Sequence, residues 1–268
     1  MLDPTSVATF IRDTARDVIL PRFRALQPGE TSEKAPGDMV TIADIEAERQ
    51  LSKSLAAAMP EAAVLGEESV AANPALLDLL GGDKPVWVID PIDGTNNFVR
   101  GDARFAVIVA LIERASPVAG FLYDPLNDRM VWALKGQGAW SGGKRLAIDA
   151  AGGKKLIGAG YGRTADGARV GKEIEAAGMG LRNFGSGGLE YLALALGELD
   201  FSLHSRSLPW DHAAGMLIAA EAGGVARFLD GTRYDARLRD RKVLAAASET
   251  AWRRIRDLVA APTEVSAP

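Results

Sequence analysis

Apolar residues recur along the chain with two periods. Val7, Phe10, Ile11, Ala15, Val18 and Ile19 stand at helical spacing and predict a helix over residues 5–26. Asp3-Pro4-Thr5 is a suitable start, and Pro21 kinks or ends the helix. Residues 28–39 read as a loop, broken by Pro28-Gly29 and Pro36-Gly37. Leu51, Leu55 and Met59 form the stripe of a second helix. The period then shortens. Residues 62–65 and 86–89 read as short strands, and 105–112 is dense enough in Val and Ile for a sheet interior. Residues 117–123 and 130–134 alternate like antiparallel neighbours joined by a turn at 124–128, and 136–143 continue as hairpin. Further on, helices at 166–177, 187–197, 211–222 and 249–260 interleave with strands near 155–159, 200–203, 225–229 and 242–246. The pattern predicts a layered α/β fold with helices before a mostly antiparallel sheet, then alternating helix and strand. It is expected to be one unit of two tightly packed lobes, about 1–150 and about 151–268, with a loose tail at 262–268.

Composition narrows the chemistry. The 268 residues suffice for a full core. There is no cysteine, which excludes thiolate metal sites, disulfides and cysteine nucleophiles. With only His204 and His212, a three-histidine zinc site is excluded too. Any metal must rest on carboxylates, carbonyls and water, which favours Mg²⁺, Mn²⁺ or Ca²⁺. The net charge of −4 argues against a nucleic-acid surface. No apolar run approaches the roughly 18–20 residues of a membrane span. The start, Met1-Leu2-Asp3-Pro4, lacks the basic and apolar regions of a signal peptide, so a cytoplasmic location is expected.

The richest stretch is Asp90-Pro91-Ile92-Asp93-Gly94-Thr95, entered through Val86-Trp87-Val88-Ile89. An apolar strand delivers two carboxylates across a stiff proline. Gly94 frees the backbone, and Thr95 adds a hydroxyl where a helix can start. Such a turn can hold hard cations beside a phosphate. Three other segments carry acids: Glu67-Glu68 after the strand at 62–65, Asp211 before an apolar helix, and Asp44 three residues after Thr41. Each also has a plain reading: Asp211 as an N-cap, Thr41 and Asp44 as a capping box, Glu67-Glu68 as a solvated turn. Acids at the ends of neighbouring strands tend to converge on one rim.

Gly66-Glu67-Glu68-Ser69, Asp90 to Phe98, Trp210-Asp211-His212-Ala213-Ala214-Gly215 and Glu221-Ala222-Gly223-Gly224 together resemble the signatures of the inositol monophosphatase family. Asp38 to Asp44 resembles its upstream motif, and Gly185-Ser186-Gly187-Gly188 stands where the family has Gly, Ser or Thr, then two alanines. The resemblance covers roughly residues 5–260. It implies an alternating helix–sheet–helix–sheet–helix sandwich and a Mg²⁺-dependent, lithium-sensitive phosphomonoesterase, commonly a homodimer. It implies that Glu67, Asp90 and the Ile92 carbonyl hold one metal, that Asp90, Asp93 and Asp211 hold a second, and that Glu67 helps a third through water. Thr95 with Asp44 would orient and deprotonate the attacking water, and the N–H groups of Gly94 and Thr95 would grip the phosphate. Clustered divalent ions lower the pKa of water and stabilise attacking and leaving oxygens together, which suits a slow hydrolysis. The implied partner is a small phosphorylated polyol or sugar, with inositol 1-phosphate first. Histidinol phosphate, fructose 1,6-bisphosphate and nucleotide 3′-phosphates are the alternatives. A binding protein of transcription or ribosome assembly is the alternative of another class.

Other features separate decoys from departures. Gly138 to Lys144 has P-loop spacing, but Arg145 replaces the hydroxyl residue and the flanks read as hairpin. The departures bear on substrate. His204 stands where animal members place a Glu that holds inositol hydroxyls, and as a strand-end histidine it could equally have no substrate role. Gly187 replaces an alanine and widens the pocket; Asp93 is a further expected substrate contact. Arg104 is expected on the solvated surface, with a second anionic group as the alternative.

Overall fold

The computed structural model describes residues 2–148, 155–160 and 165–260. The predicted tail at 262–268 lies outside the described residues. Helix α1 (Pro4–Thr14) starts at Asp3, whose carboxylate accepts the N–H groups of Thr5 and Ser6. It runs into a π-helical turn at Ala15–Ile19 and a tight 3₁₀ turn at Leu20–Arg22. The wide turn buries both Val18 and Ile19, and the segment ends at Arg22 rather than at residue 26. The predicted loop at 28–39 is instead an antiparallel ribbon of β1 (Thr31–Ala35) and β2 (Asp38–Thr41). Its first strand, Thr-Ser-Glu-Lys-Ala, is exposed on most positions and so lacks apolar alternation. Helix α2 (Ile42–Ala58) follows, buried through Ala43, Ala47, Leu51 and Leu55.

A seven-stranded sheet comes next, its strands adjacent in chain order: β3 (Ala63–Gly66), β4 (Val86–Asp93), β5 (Ala106–Glu113), β6 (Ser116–Asp124), β7 (Arg129–Leu134), β8 (Ala139–Ser141) and β9 (Lys144–Arg145). The β3–β4 pair is parallel and the others are antiparallel. Short helix α3 (Glu67–Ala72) and a 3₁₀ segment at Pro74–Gly81 lie between β3 and β4. Gly138 to Lys144 thus sits in a hairpin, not a strand–loop–helix unit. The second sheet has the order β11-β10-β12-β14-β13. Its strands are β10 (Ile157–Gly160), β11 (Gly180–Arg182), β12 (Phe201–His204), β13 (Val225–Phe228) and β14 (Val243–Ala246). Strand β11, three residues at the sheet edge, has too little pattern to be foreseen. The helices here are α5 (Ala165–Ala176), α6 (Gly187–Ala195), α7 (Pro209–Glu221) and α8 (Glu249–Ala260).

Strand parity gives the layers. Trp87, Ile89, Val107 and Val109 pack with Ile11, Ala47 and Leu51 of α1 and α2. Val86, Val88, Ile108 and Ala110 face the other way, onto Leu192 and Ile218 of α6 and α7. The same central cluster takes in Ala159, Val243 and Ala245 of the second sheet. Phe201, Leu203, Leu244 and Ala246 point outward to Val170, Ile174, Trp252 and Ile255 of α5 and α8. The fold is therefore an α/β sandwich of five alternating layers, helix–sheet–helix–sheet–helix, and its central helical layer ends at the acidic residues.

Candidate active site

A β-bulge sets the centre. Asp90 pairs with Ile108 and Asp93 with Ala106, so β4 spends one more residue than β5 between them. In a regular strand, side chains three apart face opposite sides. The extra residue turns Asp93 to the side of Asp90, towards the central helices, while Ile92 is buried on the other face. Asp90 Oδ1 accepts the Ile92 N–H at 3.0 Å, which tightens the bend. Gly94 then takes φ 98°, and a Cβ there would lie 2.9 Å from the Arg104 carbonyl. That turn starts α4 (Thr95–Val99), and Asn97 braces it by donating to the carbonyls of Arg104 at 2.7 Å and Phe184 at 2.8 Å.

Glu67, Asp90 and Asp211 each offer a carboxylate oxygen, and the three lie within 4.8 Å of one another. Glu67 and Glu68 are the first residues of α3, not a solvated turn. Asp211 lies in the first turn of α7, behind Pro209, and Leu208 occupies the cap position, so the N-cap reading of Asp211 is corrected. Asp93 stands beside this trio with Oδ2 held by Ser186 Oγ at 2.5 Å and the Gly188 N–H at 2.6 Å, at the start of α6. Thr95 Oγ1 lies 3.1 Å from Asp44 Oδ1 and 2.9 Å from the Ile92 carbonyl oxygen. Thr41 and Asp44 do form a capping box, with Asp44 Oδ2 accepting the Thr41 N–H at 2.9 Å. Asp44 thus caps α2 with one oxygen and meets Thr95 with the other.

These acids crowd one another. Burial, and the charges of Glu67, Asp93 and Asp211, hold the Asp90 carboxyl well above its ordinary pKa. Burial and the charges of Glu67 and Asp93 do the same to Asp211. Burial pushes Asp44 up to about 6. Asp93 is also raised by burial to about 6, although the Ser186 and Gly188 donors oppose the shift. Such a set becomes tolerable in its charged form when cations share it, and all-oxygen, anionic donors fit hard divalent ions.

A cavity of about 440 Å³ joins the groups. Glu67, Asp90, Ile92, Asp93, Gly94, Thr95, Gly187, His204 and Asp211 line it; Asp44 sits behind Thr95, reached through the hydroxyl. The residues expected to act on metal, water, phosphate and substrate therefore fall at one place. Arg104 is on the surface, paired with Asp102 at 2.5 Å and donating to the Asn183 carbonyl.

Sequence reasoning assigned no role to four residues. Lys34 of β1 reaches Glu67 at 2.7 Å and Glu68 at 3.0 Å. Burial opposes its charge, yet the two glutamates outweigh that and raise its pKa. Glu48 is buried and accepts the N–H groups of Glu68 at 2.8 Å and Ser69 at 3.0 Å. It stands four residues after Asp44 on the same helical face, a signal that was available. Ser186 caps α6 while holding Asp93. Glu190 lines the far end of the cavity.

The model of the inositol monophosphatase family matches residues 3–264. The chain belongs to that family. Inositol monophosphatase 1 of Bos taurus is 33% identical over 230 residues, covering 82% of this chain and 81% of its own. A fructose-1,6-bisphosphatase/inositol-1-monophosphatase of Aquifex aeolicus is 30% identical, covering 78% of this chain and 79% of its own. The solved inositol monophosphatase of Thermotoga maritima superposes with a TM-score of 0.79 at 26% identity, covering 94% of each chain. Family and acid cluster together make this a Mg²⁺-dependent hydrolase of a small phosphate monoester. No helix among the described residues is long and apolar enough to cross a membrane.

Proposed function

We propose that the chain releases phosphate from a monoester of a small polyol or sugar, with inositol 1-phosphate the first substrate to test. One observation carries the reading: the Glu67, Asp90 and Asp211 oxygens converge within 4.8 Å on the cavity that also holds Thr95. Glu67, Asp90 and the Ile92 carbonyl would hold one Mg²⁺ ion, and Asp90, Asp93 and Asp211 a second, with a third beside Glu67. Bound ions supply positive charge against the phosphate and make water a stronger acid.

The protein's own groups do the rest. The N–H groups of Gly94 and Thr95 hold phosphate oxygens at the turn. Thr95 Oγ1 has one proton and two acceptors, Asp44 and the Ile92 carbonyl, so its lone pair can fix a water. The water oxygen bonds to phosphorus and one of its protons passes through Thr95 to Asp44; the ester P–O bond breaks with its electron pair going to the leaving oxygen, which takes a proton from a solvent water and departs as an alcohol. An Asp44 pKa raised to about 6 makes it a better base near neutrality than an ordinary aspartate. Asp93, Gly187 and His204 face the leaving group. The active form is a homodimer, and Li⁺ inhibits it. Phosphate release with Mg²⁺, with and without Li⁺, from inositol 1-phosphate, histidinol phosphate, fructose 1,6-bisphosphate and a nucleotide 3′-phosphate tests this. No Mg²⁺-dependent release from any of them would overturn it.

A further inference from the structure

Six carboxylates and one guanidinium, that of Arg182, line the cavity among the described residues. Five of those acids are Asp38 at the rim and the Glu67, Asp90, Asp93 and Asp211 group, which cations neutralise. The sixth, Glu190, belongs to neither. It projects from the first turn of α6 and is buried, with a relative exposure of 4%. Its Oε2 accepts Ser202 Oγ at 3.0 Å and lies 3.3 Å from His204 Nε2. Ser202 Oγ is in turn 2.7 Å from His204 Nε2. With the serine proton on Glu190, the histidine must donate through Nε2, a tautomer assigned from this network. His204 stays neutral because burial pulls it down to about 4, so it brings no compensating charge. It is held in place by stacking on Tyr191, ring centroids 5.5 Å apart. Oε1 of Glu190 accepts no hydrogen bond from the described residues, nor is it sealed among the buried unpartnered atoms. Burial raises the Glu190 carboxyl to about 8, so with the cavity empty it keeps a proton near neutral pH, and a cationic donor at its open oxygen is what would draw it into the charged form.

We propose that Glu190, held by Ser202 and His204, is a specificity subsite for a protonated amine on the leaving group, so that the substrate is an amino-alcohol or amino-sugar phosphate. The inference rests on the phosphomonoesterase reading of the same site. Space supports it: Thr95, Gly187, His204 and Glu190 line one continuous cavity, and Gly187 adds no side chain to it. Charge supports it as well, since a second phosphate would disfavour the charged form of Glu190 further, whereas an ammonium favours it and pairs with it.

The test compares substrates that differ only in amine against hydroxyl, with Mg²⁺ present: 2-aminoethyl against 2-hydroxyethyl phosphate, and glucosamine 6-phosphate against glucose 6-phosphate. Fructose 1,6-bisphosphate is the anionic arm, and p-nitrophenyl phosphate reports bare phosphatase activity. The expected result is a kcat/KM at least about tenfold higher for an amine than for its hydroxyl partner in at least one pair, as for a charge-assisted hydrogen bond. In Glu190→Gln the ratio of amine to hydroxyl kcat/KM should fall to about unity, a ratio in which any general loss of turnover cancels. Turnover of p-nitrophenyl phosphate with no amine preference in the wild-type protein would overturn the subsite and spare the phosphatase reading. No Mg²⁺-dependent release from any ester would overturn both. The wild-type comparison decides the matter even if the variant fails to fold.

Discussion

Glu48 Oε2 accepts the backbone N–H of Glu68 at 2.8 Å, so a residue of α2 anchors the first turn of the helix that presents Glu67. Its Oε1 takes the Ser69 N–H at 3.0 Å and also meets the Ser69 hydroxyl. The carboxylate lies where a side chain at position 66 would begin, which is why a glycine precedes Glu67.

Glu48→Ala strips two helix-end N–H groups and a hydroxyl of their acceptor. Unfolding should become easier by about 1–3 kcal/mol, the usual penalty for buried donors left alone. Because Glu67 loses its support, half-saturation by Mg²⁺ should rise about tenfold, as for other residues that orient a ligand. Glu48→Gln keeps one acceptor and should recover part of both losses. Thermal melts and Mg²⁺ titrations of activity check this; an unchanged Mg²⁺ requirement in the Ala variant would sever Glu48 from Glu67.

Thr95→Ala removes the hydroxyl between Asp44 and the Ile92 carbonyl but no carboxylate. Turnover should fall about 10²-fold or more, the ordinary range for lost proton transfer, with Mg²⁺ affinity nearly unchanged. Initial rates over a Mg²⁺ series separate the two. A large loss of Mg²⁺ binding would make Thr95 part of the metal site instead.

The sandwich was legible where burial imposes a period: α2, the strands from β4 to β7, and α6 to α8 all fall near their expected places. The β1–β2 ribbon was not, because Lys34 contributes through its ammonium end on Glu67 and nothing in Thr-Ser-Glu-Lys-Ala alternates. The acids were legible as a motif, yet the bulge that turns Asp90 and Asp93 to one side is a pairing event with β5. Glu190 went unnoticed for a related reason. On sequence it is one acid in an apolar helix, and only the return of β12 brings Ser202 and His204 against it.

The metal-free protein should lose stability as pH rises. Burial lifts Asp44 and Asp93 from an ordinary 3.8 to about 6, so between those values the folded state binds more protons than the unfolded one. Their destabilising charge is absent below about pH 4 and complete above about pH 7, on the order of 3 kcal/mol for each group. Saturating Mg²⁺ should flatten the slope at neutral pH, since cations favour the charged forms. Denaturant melts from pH 5 to 7.5, with chelator and with Mg²⁺, measure it. A metal-free protein that gains stability over that range would contradict the crowding of these acids.

Asp90→Asn tests the centre of the site. Asp90 stands in the trio with Glu67 and Asp211, and its carboxyl is raised by both of them as well as by Asp93. An amide keeps the shape, and its carbonyl oxygen can still accept the Ile92 N–H that Oδ1 accepts now. Phosphate release should therefore vanish while the fold survives. The metal-free variant should also melt higher than the metal-free wild type by about 1 kcal/mol or more, because one mutually repelling charge is gone. With Mg²⁺ the order should reverse, since the wild type gains binding energy that the variant has lost. Phosphate release and paired melts with chelator and Mg²⁺ read all three effects. Near-wild-type release from the Asp90→Asn variant would remove Asp90 from the metal site, whereas a variant destabilised without metal would mean that its carboxylate serves the fold rather than the ions.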